Sequence, residues 1–248
     1  MITTKINSDK TTPERVTHAI IGGAYTNFAD QLTKQGITLL YAQPNPYLTL
    51  DTQNHADMAA INAGGKIFLA PNQIDLHKQI LKLNMNVEII SKQPQSGYPN
   101  DVLLNAAVSG CGGIAFLNQD YINREVLSHL RLCGTKTLHV KQGYARCSIC
   151  FLSSNAIITA DRGIADVADK NELDVLTIKP GYITLAEREY GFIGGASALI
   201  DKDHLIFFGN ISAHPDYEKI KSFAANHSVY LESLSGECLT DIGGIVAF

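Results

Sequence analysis

The chain of 248 residues lacks the features that mark several classes of protein. Acidic residues outnumber basic ones by 24 to 20, so the charge gives no reason to expect nucleic acid or an anionic membrane as a partner. No apolar run approaches the roughly 18 residues of a membrane-spanning helix. The polar first 15 residues also lack the apolar core of a secretory signal. We therefore expect no membrane partner and a cytoplasmic location.

Cysteine is scarce as well. Five cysteines at irregular spacing are too few for a disulfide framework in a chain of this length, which favours a reducing compartment. Cys147 and Cys150 have the spacing of some redox and zinc sites, but they lie in an apolar run. On a strand those two positions face opposite sides. No second Cys or His pair lies at zinc spacing, so we predict buried structural thiols.

What the sequence does contain is a recurring order of elements, in a composition (45% hydrophobic, 18% charged) typical of globular proteins. Four segments each show an apolar strand, a turn, a second apolar strand, a helix-spaced apolar pattern and a third strand. The third strands are predicted at residues 87–91, 136–140, 174–178 and 228–234. Each second strand ends in a residue suited to begin a helix, namely Asn72, Asn118, Asp161 and Asn210.

The two ends of the chain complete a fifth unit. Residues 16–22 and 37–42 read as strands and 25–34 as a helix, but this unit lacks a first strand. Residues 241–248 form a short apolar strand without a partner of its own. If the last strand pairs with the first, five units close into a ring without an open edge. An ordinary open α/β sheet is the alternative.

These patterns predict one domain after a polar N-terminal segment, residues 1–15. The domain, residues 16–248, is an α/β propeller with five-fold pseudosymmetry, built of strand–strand–helix–strand units and closed by the C-terminal strand. The predicted units span about 16–50 plus 241–248, 55–95, 98–142, 143–188 and 189–236.

A ring of five such units resembles the pentein fold of the guanidino-group-modifying superfamily. The second half is most similar in element order to the dimethylarginine hydrolases, and the whole resembles a bacterial family of this fold without an assigned activity. The resemblance implies a channel site where a carboxylate binds guanidinium, a His moves protons and a Cys attacks the guanidino carbon. A further member, the ribosome anti-association factor, is not an enzyme, so the fold alone decides nothing.

This sequence departs from the pattern that the resemblance implies. The catalytic Cys would lie on the last strand, where Val246 and Ala247 stand, and the stretch 142–146 that matches the His contains none. Asp57 matches the carboxylate. We therefore do not expect a standard deiminase or dimethylarginine hydrolase.

Polar residues at the strand entrances are the candidate ligand-binding groups, because strand entrances converge on the channel in such a ring. These candidates are Asp57, Asp101, Tyr144, Arg146 and Asp241, with Ser197 further along its strand. They suit a small polar ligand that resembles an amino acid or a guanidine. They could instead satisfy one another and the strand ends. For Ser197, and for Asn62 and Asn105 at similar positions, hydrogen bonding between units is the favoured alternative.

Three functions follow from this sequence. The first is binding of that small ligand. The second is hydrolysis of an amidino or amide substrate, with Cys147 or Cys238 as nucleophile and His55 and Asp57 as acid and base. The third is a ribosome-type interaction protein. His55 and Asp57 could also form half a metal site, but no third ligand is evident, so we predict no metal and no cofactor. A homodimer stays open.

Overall fold

The computed structural model describes residues 15–110 and 112–248. The predicted N-terminal segment therefore falls, apart from Arg15, outside the described residues. The described chain is a mixed α/β fold with five sheets of three strands each and seven α-helices. No helix in this part of the chain combines the length and the apolar character that crossing a membrane requires.

The elements follow one another in the order that the sequence predicts. The first unit contains β1 (His18–Gly22), α1 (Thr26–Lys34) and β2 (Thr38–Ala42). The second contains α2 (Ala56–Ala59), β3 (Ala60–Ala63), β4 (Lys66–Leu69), α3 (Ile74–Lys82) and β5 (Val87–Ile89). The third contains β6 (Ala107–Val108), β7 (Ile114–Leu117), α4 (Arg124–Leu132) and β8 (Lys136–His139).

The remaining elements complete the set. The fourth unit contains α5 (Ala145–Ser148), β9 (Cys150–Ser153), β10 (Ala156–Thr159), α6 (Arg162–Lys170) and β11 (Asp174–Thr177). The fifth contains β12 (Ser197–Asp201), β13 (His204–Phe207), a 3₁₀ turn (Ile211–Ala213), α7 (Tyr217–Asn226) and β14 (Tyr230–Ser233). The last strand is β15 (Val246–Ala247).

Each sheet has a middle strand with one antiparallel and one parallel neighbour. In the last four units the antiparallel neighbour precedes the middle strand and is joined to it by a short turn. The parallel neighbour follows a helix, as a parallel crossover requires. In the first sheet, β15 supplies the antiparallel neighbour by pairing Ala247 with Ala19 and Val246 with Ile20. The predicted pairing of the two chain ends is therefore confirmed. None of the five sheets closes on itself within the described ranges, so the strand pairing does not establish a closed propeller.

The five middle strands are buried on both faces. Successive strand residues face opposite sides, and here the two sides pack into different hydrophobic cores. Ile20 of β1 packs with Ile67 of the second unit, whereas Ile21 packs with Phe208 of the fifth. The same alternation in β4, β7, β10 and β13 gives five cores, each shared by two units. This is why these strands read as continuous apolar runs.

The sequence predicts first strands that begin at Asp57, Asp101, Ala145 and Phe192, but the observed first strands begin later. Residues 57–59 belong to α2, residues 101–106 precede β6, and residues 192–196 precede β12. The C-terminal strand likewise starts at Val246, because Gly243 and Gly244 have φ of 71° and 58°, which no regular strand accepts. Of the predicted polar residues, Asp57 and Arg146 therefore lie on short helices. Asp101, Tyr144 and Asp241 lie in the irregular segments before the strands or helices, and only Ser197 lies on a strand, as the first residue of β12.

Only one of the four predicted residues caps its α-helix. Asp161 accepts from the backbone N–H of Ile164 and caps α6, whereas Asn210 caps the 3₁₀ turn and α7 begins after Asp216. By contrast, α3 begins after Gln73, and α4 is capped by Asn123, because a turn follows β4 and β7 before each helix starts.

Candidate functional site

Segments from all five units meet at one buried point, just before their first strands. They carry His55 and Asp57, then Asn105, then Cys147 in α5, then the glycines at 194–195, and then Asp241. The glycines are required there, because a Cβ on Gly195 would collide with the Asp241 carboxylate. Polar groups that are far apart in the sequence are thereby brought together, although they do not lie on one common helix or strand.

His55, Asp57 and Cys147 form what we call the central cluster. Their side-chain donor atoms all lie within 4.8 Å of one another. The Cys147 thiol donates to Asp57 Oδ2 at 2.7 Å, and the Asn105 amide donates to Cys147 Sγ at 3.6 Å. All three side chains are buried, with residue exposures of 1–3%.

Several polar atoms of the central cluster lack a hydrogen-bond partner. Both ring nitrogens of His55 and Oδ1 of Asp57 are buried and unsatisfied among the described residues. The His55 ring instead lies 6.3 Å from that of Tyr25, centroid to centroid. Because buried polar atoms are nearly always hydrogen bonded, these three atoms indicate a group that the protein itself does not supply.

Asp241 places a second buried carboxylate beside the cluster. It accepts from the backbone N–H groups of Phe192 and Gly243, each at 2.9 Å. Burial raises the pKa of Asp241, and the charge of His55 and the two backbone donors only partly offset this. Burial, together with the charges of Asp57 and Asp241, also raises the pKa of the Cys147 thiol. The site therefore concentrates acidic groups whose charged forms are disfavoured by burial and would be stabilised by a cation.

A second polar group lies nearby. The Tyr144 hydroxyl donates to Asp101 Oδ2 at 2.6 Å, and burial and this bond raise the pKa of Tyr144. An ion pair between Arg188 and Asp51 lies close enough for the Arg188 charge to act on Tyr144. It ties the segment before α2 to the segment before β12. The structure therefore places Asp101 and Tyr144 together, next to the central cluster rather than in it.

The remaining predicted residues have other contacts. Arg146 donates to the carbonyl oxygens of Gly194 at 2.9 Å and Ile245 at 3.3 Å. Ser197 donates to Ile193, which is a local structural bond. Cys238 is exposed, with its backbone against Gly209, so the structure does not bring it to the cluster.

A cavity of about 720 Å³ leads to the cluster, and residues from all five units line it. Asp57 and Arg146 stand in its wall, and so does Ser197. We call it the shared cavity. It offers a small molecule a route to the Asp57 carboxylate.

Sequence reasoning missed two residues of the site. The half-buried Tyr25 lies against His55 and interacts electrostatically with Asp57 and Asp241, but it belongs to the unit whose first strand comes from the other end of the chain. Asn105 was expected mainly to form hydrogen bonds between units. It does so by accepting from the Arg146 N–H, and it also orients the Cys147 sulfur. No spacing in the sequence signals either role.

Solved structures of similar fold are guanidino-group enzymes. One is DDAH from Pseudomonas aeruginosa, a mutant complexed with citrulline, with 10% identity and a TM-score of 0.60 over 94% of this chain and 100% of that chain. Another is a C. jejuni agmatine deiminase, with 9% identity and a TM-score of 0.57 over 90% and 88%. A third is an inosamine-phosphate amidinotransferase from Streptomyces griseus, with 11% identity and a TM-score of 0.54 over 93% and 91%.

At such identities the likeness shows the fold alone, and it confirms the predicted pentein resemblance. A comparison with curated protein sequences found no match. The profile of a family of unknown function, DUF6873, matches residues 20–246.

Proposed function

This chain belongs to the family of unknown function DUF6873, and we propose that it binds a small cationic ligand of the guanidine or amino-acid type at the inner end of the shared cavity. The observation that carries the proposal is the pair of buried carboxylates, Asp57 and Asp241. Among the described residues neither forms an ion pair with a Lys, Arg or His side chain.

The charge balance favours a cation. A buried carboxylate without a partner costs several kcal/mol, and folded proteins retain such a cost mainly at functional sites. A guanidinium or amidinium group presents planar N–H donors that match carboxylate oxygens. The unsatisfied Oδ1 of Asp57 is one acceptor that such a group would fill.

The names of the structural neighbours support the same ligand class. They include an agmatine deiminase, a dimethylarginine dimethylaminohydrolase and amidinotransferases, whose names refer to guanidino compounds or amidino groups. At such low sequence identity the neighbours show the fold and not the ligand, so the proposed ligand class depends chiefly on the two carboxylates.

We also infer that the five units form a ring, with residues 16–248 as one domain. The five hydrophobic cores support this, because each joins two units that follow one another, and one of them joins the fifth to the first. The shared cavity, lined by all five units, would then be the central channel.

Thermal unfolding with added ligand tests the binding proposal. Agmatine at about 100 times its Kd should add roughly 2.7 kcal/mol of stability, which is a rise in Tm of about 5–10 °C for a chain of this size. The Asp57→Asn variant should lose the shift. The exposed helix residue Asp166 provides the matched control, and Asp166→Asn should keep it. An equal shift in both variants would place the ligand elsewhere.

A second candidate function is hydrolysis of an amidino group, with Cys147 as nucleophile. It is favoured by one observation, the convergence of His55, Asp57 and Cys147. The sulfur would attack the amidino carbon, an amine would leave with a proton from His55, and water would then release the ureido product and regenerate the thiol. The raised pKa of Cys147 keeps the thiol protonated in the empty site, so only a bound cation would favour the thiolate.

Product analysis tests the reaction. Incubation with agmatine should yield amine or ammonia, Cys147→Ser should abolish it, and Cys150→Ser should not. Cys150 is a suitable control because it is equally buried and lies three residues away. If neither variant alters a measured turnover, Cys147 is not the nucleophile. The interaction-protein alternative and a homodimer stay predictions.

A further inference from the structure

We propose that His55, Asp57 and Cys147 together bind one zinc ion. The three residues come from the segment before α2 and from α5, and 90 positions separate Asp57 from Cys147. A zinc pattern is therefore invisible in the sequence, where His55 and Asp57 stand as half a site without a third ligand.

The donor set matches zinc. Thiolate sulfur, imidazole nitrogen and carboxylate oxygen are its usual ligands in proteins. Tetrahedral bonds of about 2.0–2.3 Å would put the donor atoms about 3.3–3.8 Å apart. The donors here lie within 4.8 Å of one another, and the Cys147–Asp57 pair is closer still, at 2.7 Å. Small side-chain rotations would bring all three to one metal ion.

The unsatisfied atoms are the second, independent observation. His55 is 2% exposed, and neither of its ring nitrogens has a partner among the described residues. One nitrogen would bind the metal and the other would remain for a second-shell partner. The competing interpretation is that Cys147 is simply a structural thiol bonded to Asp57. That interpretation leaves the two His55 nitrogens and Asp57 Oδ1 unexplained, whereas a metal accounts for at least one of them.

The surroundings favour a divalent cation over none. On binding, the thiol proton of Cys147 leaves to solvent, so the ion faces a thiolate and the Asp57 carboxylate, with Asp241 beside them. Asn105 donates to the sulfur and would continue to do so once it is ionised. Three protein ligands leave the fourth position of a tetrahedral ion to a water molecule.

Zinc would also control the proposed ligand site. The ion and a guanidinium group would both use the Asp57 carboxylate, so each should exclude the other. This competition rests on the proposed function, whereas the zinc site itself does not.

Cobalt substitution tests the site directly. The full chain, without an affinity tag, is stripped with a chelator and titrated with Co²⁺, then with Zn²⁺ in competition. We expect one ion per chain and a sulfur-to-cobalt charge-transfer band that Zn²⁺ abolishes. Cys147→Ser should remove the band, and His55→Gln and Asp57→Asn should each weaken zinc binding at least tenfold.

Matched controls come from the same chain. Cys150 and His214 are buried like the proposed ligands, and the Nε2 of His214 is also unsatisfied. Cys150→Ser and His214→Gln should therefore leave the band and the affinity unchanged. Circular dichroism identifies any variant that fails to fold, and the remaining two ligand variants then decide.

The results that would overturn the zinc site are specific. One is the absence of the charge-transfer band in folded wild-type protein, and another is its persistence in folded Cys147→Ser. Agmatine binding, measured separately in chelator, distinguishes this failure from failure of the proposed function. Zinc binding without agmatine binding would refute only the ligand, and agmatine binding without zinc would refute only the metal. If both bind but do not compete, the regulatory part is wrong.

Discussion

Replacing Asp57 with asparagine should stabilise the empty protein. The carboxylate is 1% exposed, forms no ion pair with a described side chain and lies beside a second buried carboxylate. The amide oxygen can still accept the Cys147 thiol proton, so the one hydrogen bond of the carboxylate is retained. Removal of the charge lowers the free energy of the folded state by several kcal/mol. Burial of an amide that lacks some hydrogen-bond partners raises this free energy again by about 1–3 kcal/mol.

The net gain should be about 1–3 kcal/mol, which corresponds to a rise in Tm of about 2–12 °C for a chain of this length. Asp241→Asn is the contrasting variant. Both Asp241 oxygens accept backbone N–H groups, and an amide would replace one acceptor with a donor. We expect it to gain less than Asp57→Asn by about 1–3 kcal/mol, or to be destabilised.

The measurement is thermal or urea unfolding of the two variants and the wild type in chelator, so that metal binding does not contribute. A fall in Tm for Asp57→Asn, as large as that for Asp241→Asn, would refute the reasoning. It would mean that Asp57 is satisfied in the folded protein and that the site holds no unbalanced charge.

Three other predictions concern the support of the site. Burial alone would raise the pKa of Asp51, but hydrogen bonds from Thr49 and Arg188 lower it below its ordinary value. Arg188→Ala should therefore lower the stability by about 1 kcal/mol near pH 7, a value that allows for solvent screening at the half-exposed guanidinium. The difference from wild type should shrink as the pH falls below about 4, because Asp51 is then protonated. Gly194→Ala should cost at least about 2 kcal/mol in urea unfolding, because its Cβ would meet three backbone carbonyl groups, whereas Gly236→Ala, which meets nothing, should change stability by less than about 0.5 kcal/mol. In the native protein Cys147 should be alkylated more slowly than the two exposed thiols of the described chain, and equal rates by mass spectrometry would show that the site opens readily.

The predictable parts of the fold are those where a single local sequence pattern determines the type and position of an element. The middle strand β10 is a run of apolar residues bounded by a turn and by the cap Asp161, and it forms as expected. The parallel strands after the helices also lie within one or two residues of their predicted bounds, because an amphipathic helix leaves little freedom in where the chain returns. The order of these elements was sufficient to indicate the pentein fold.

The candidate site was only partly predictable. His55, Asp57, Cys147 and Asp241 were singled out, and the structure brings them together. Cys147 was assigned to a strand because residues 147–152 are apolar, but α5 ends only at Ser148, so Cys147 faces the cluster while Cys150 begins β9. A helix of four residues leaves no periodic signal. Its partnership with Asp57 depends on contacts between distant units, which a single sequence does not show.

The most direct test of the central claim compares two ligands that differ in charge and little else. Agmatine carries a guanidinium group, and its ureido analogue, N-carbamoylputrescine, is neutral at that end. In calorimetry with protein kept free of metal by a chelator, we predict that agmatine binds at one site. The analogue should bind at least about tenfold more weakly, which is a difference in binding free energy of about 1.4 kcal/mol or more. Asp57→Asn should remove the preference. Equal affinity for the two ligands in the wild type would contradict the account, since the buried carboxylates would then not recognise a cation.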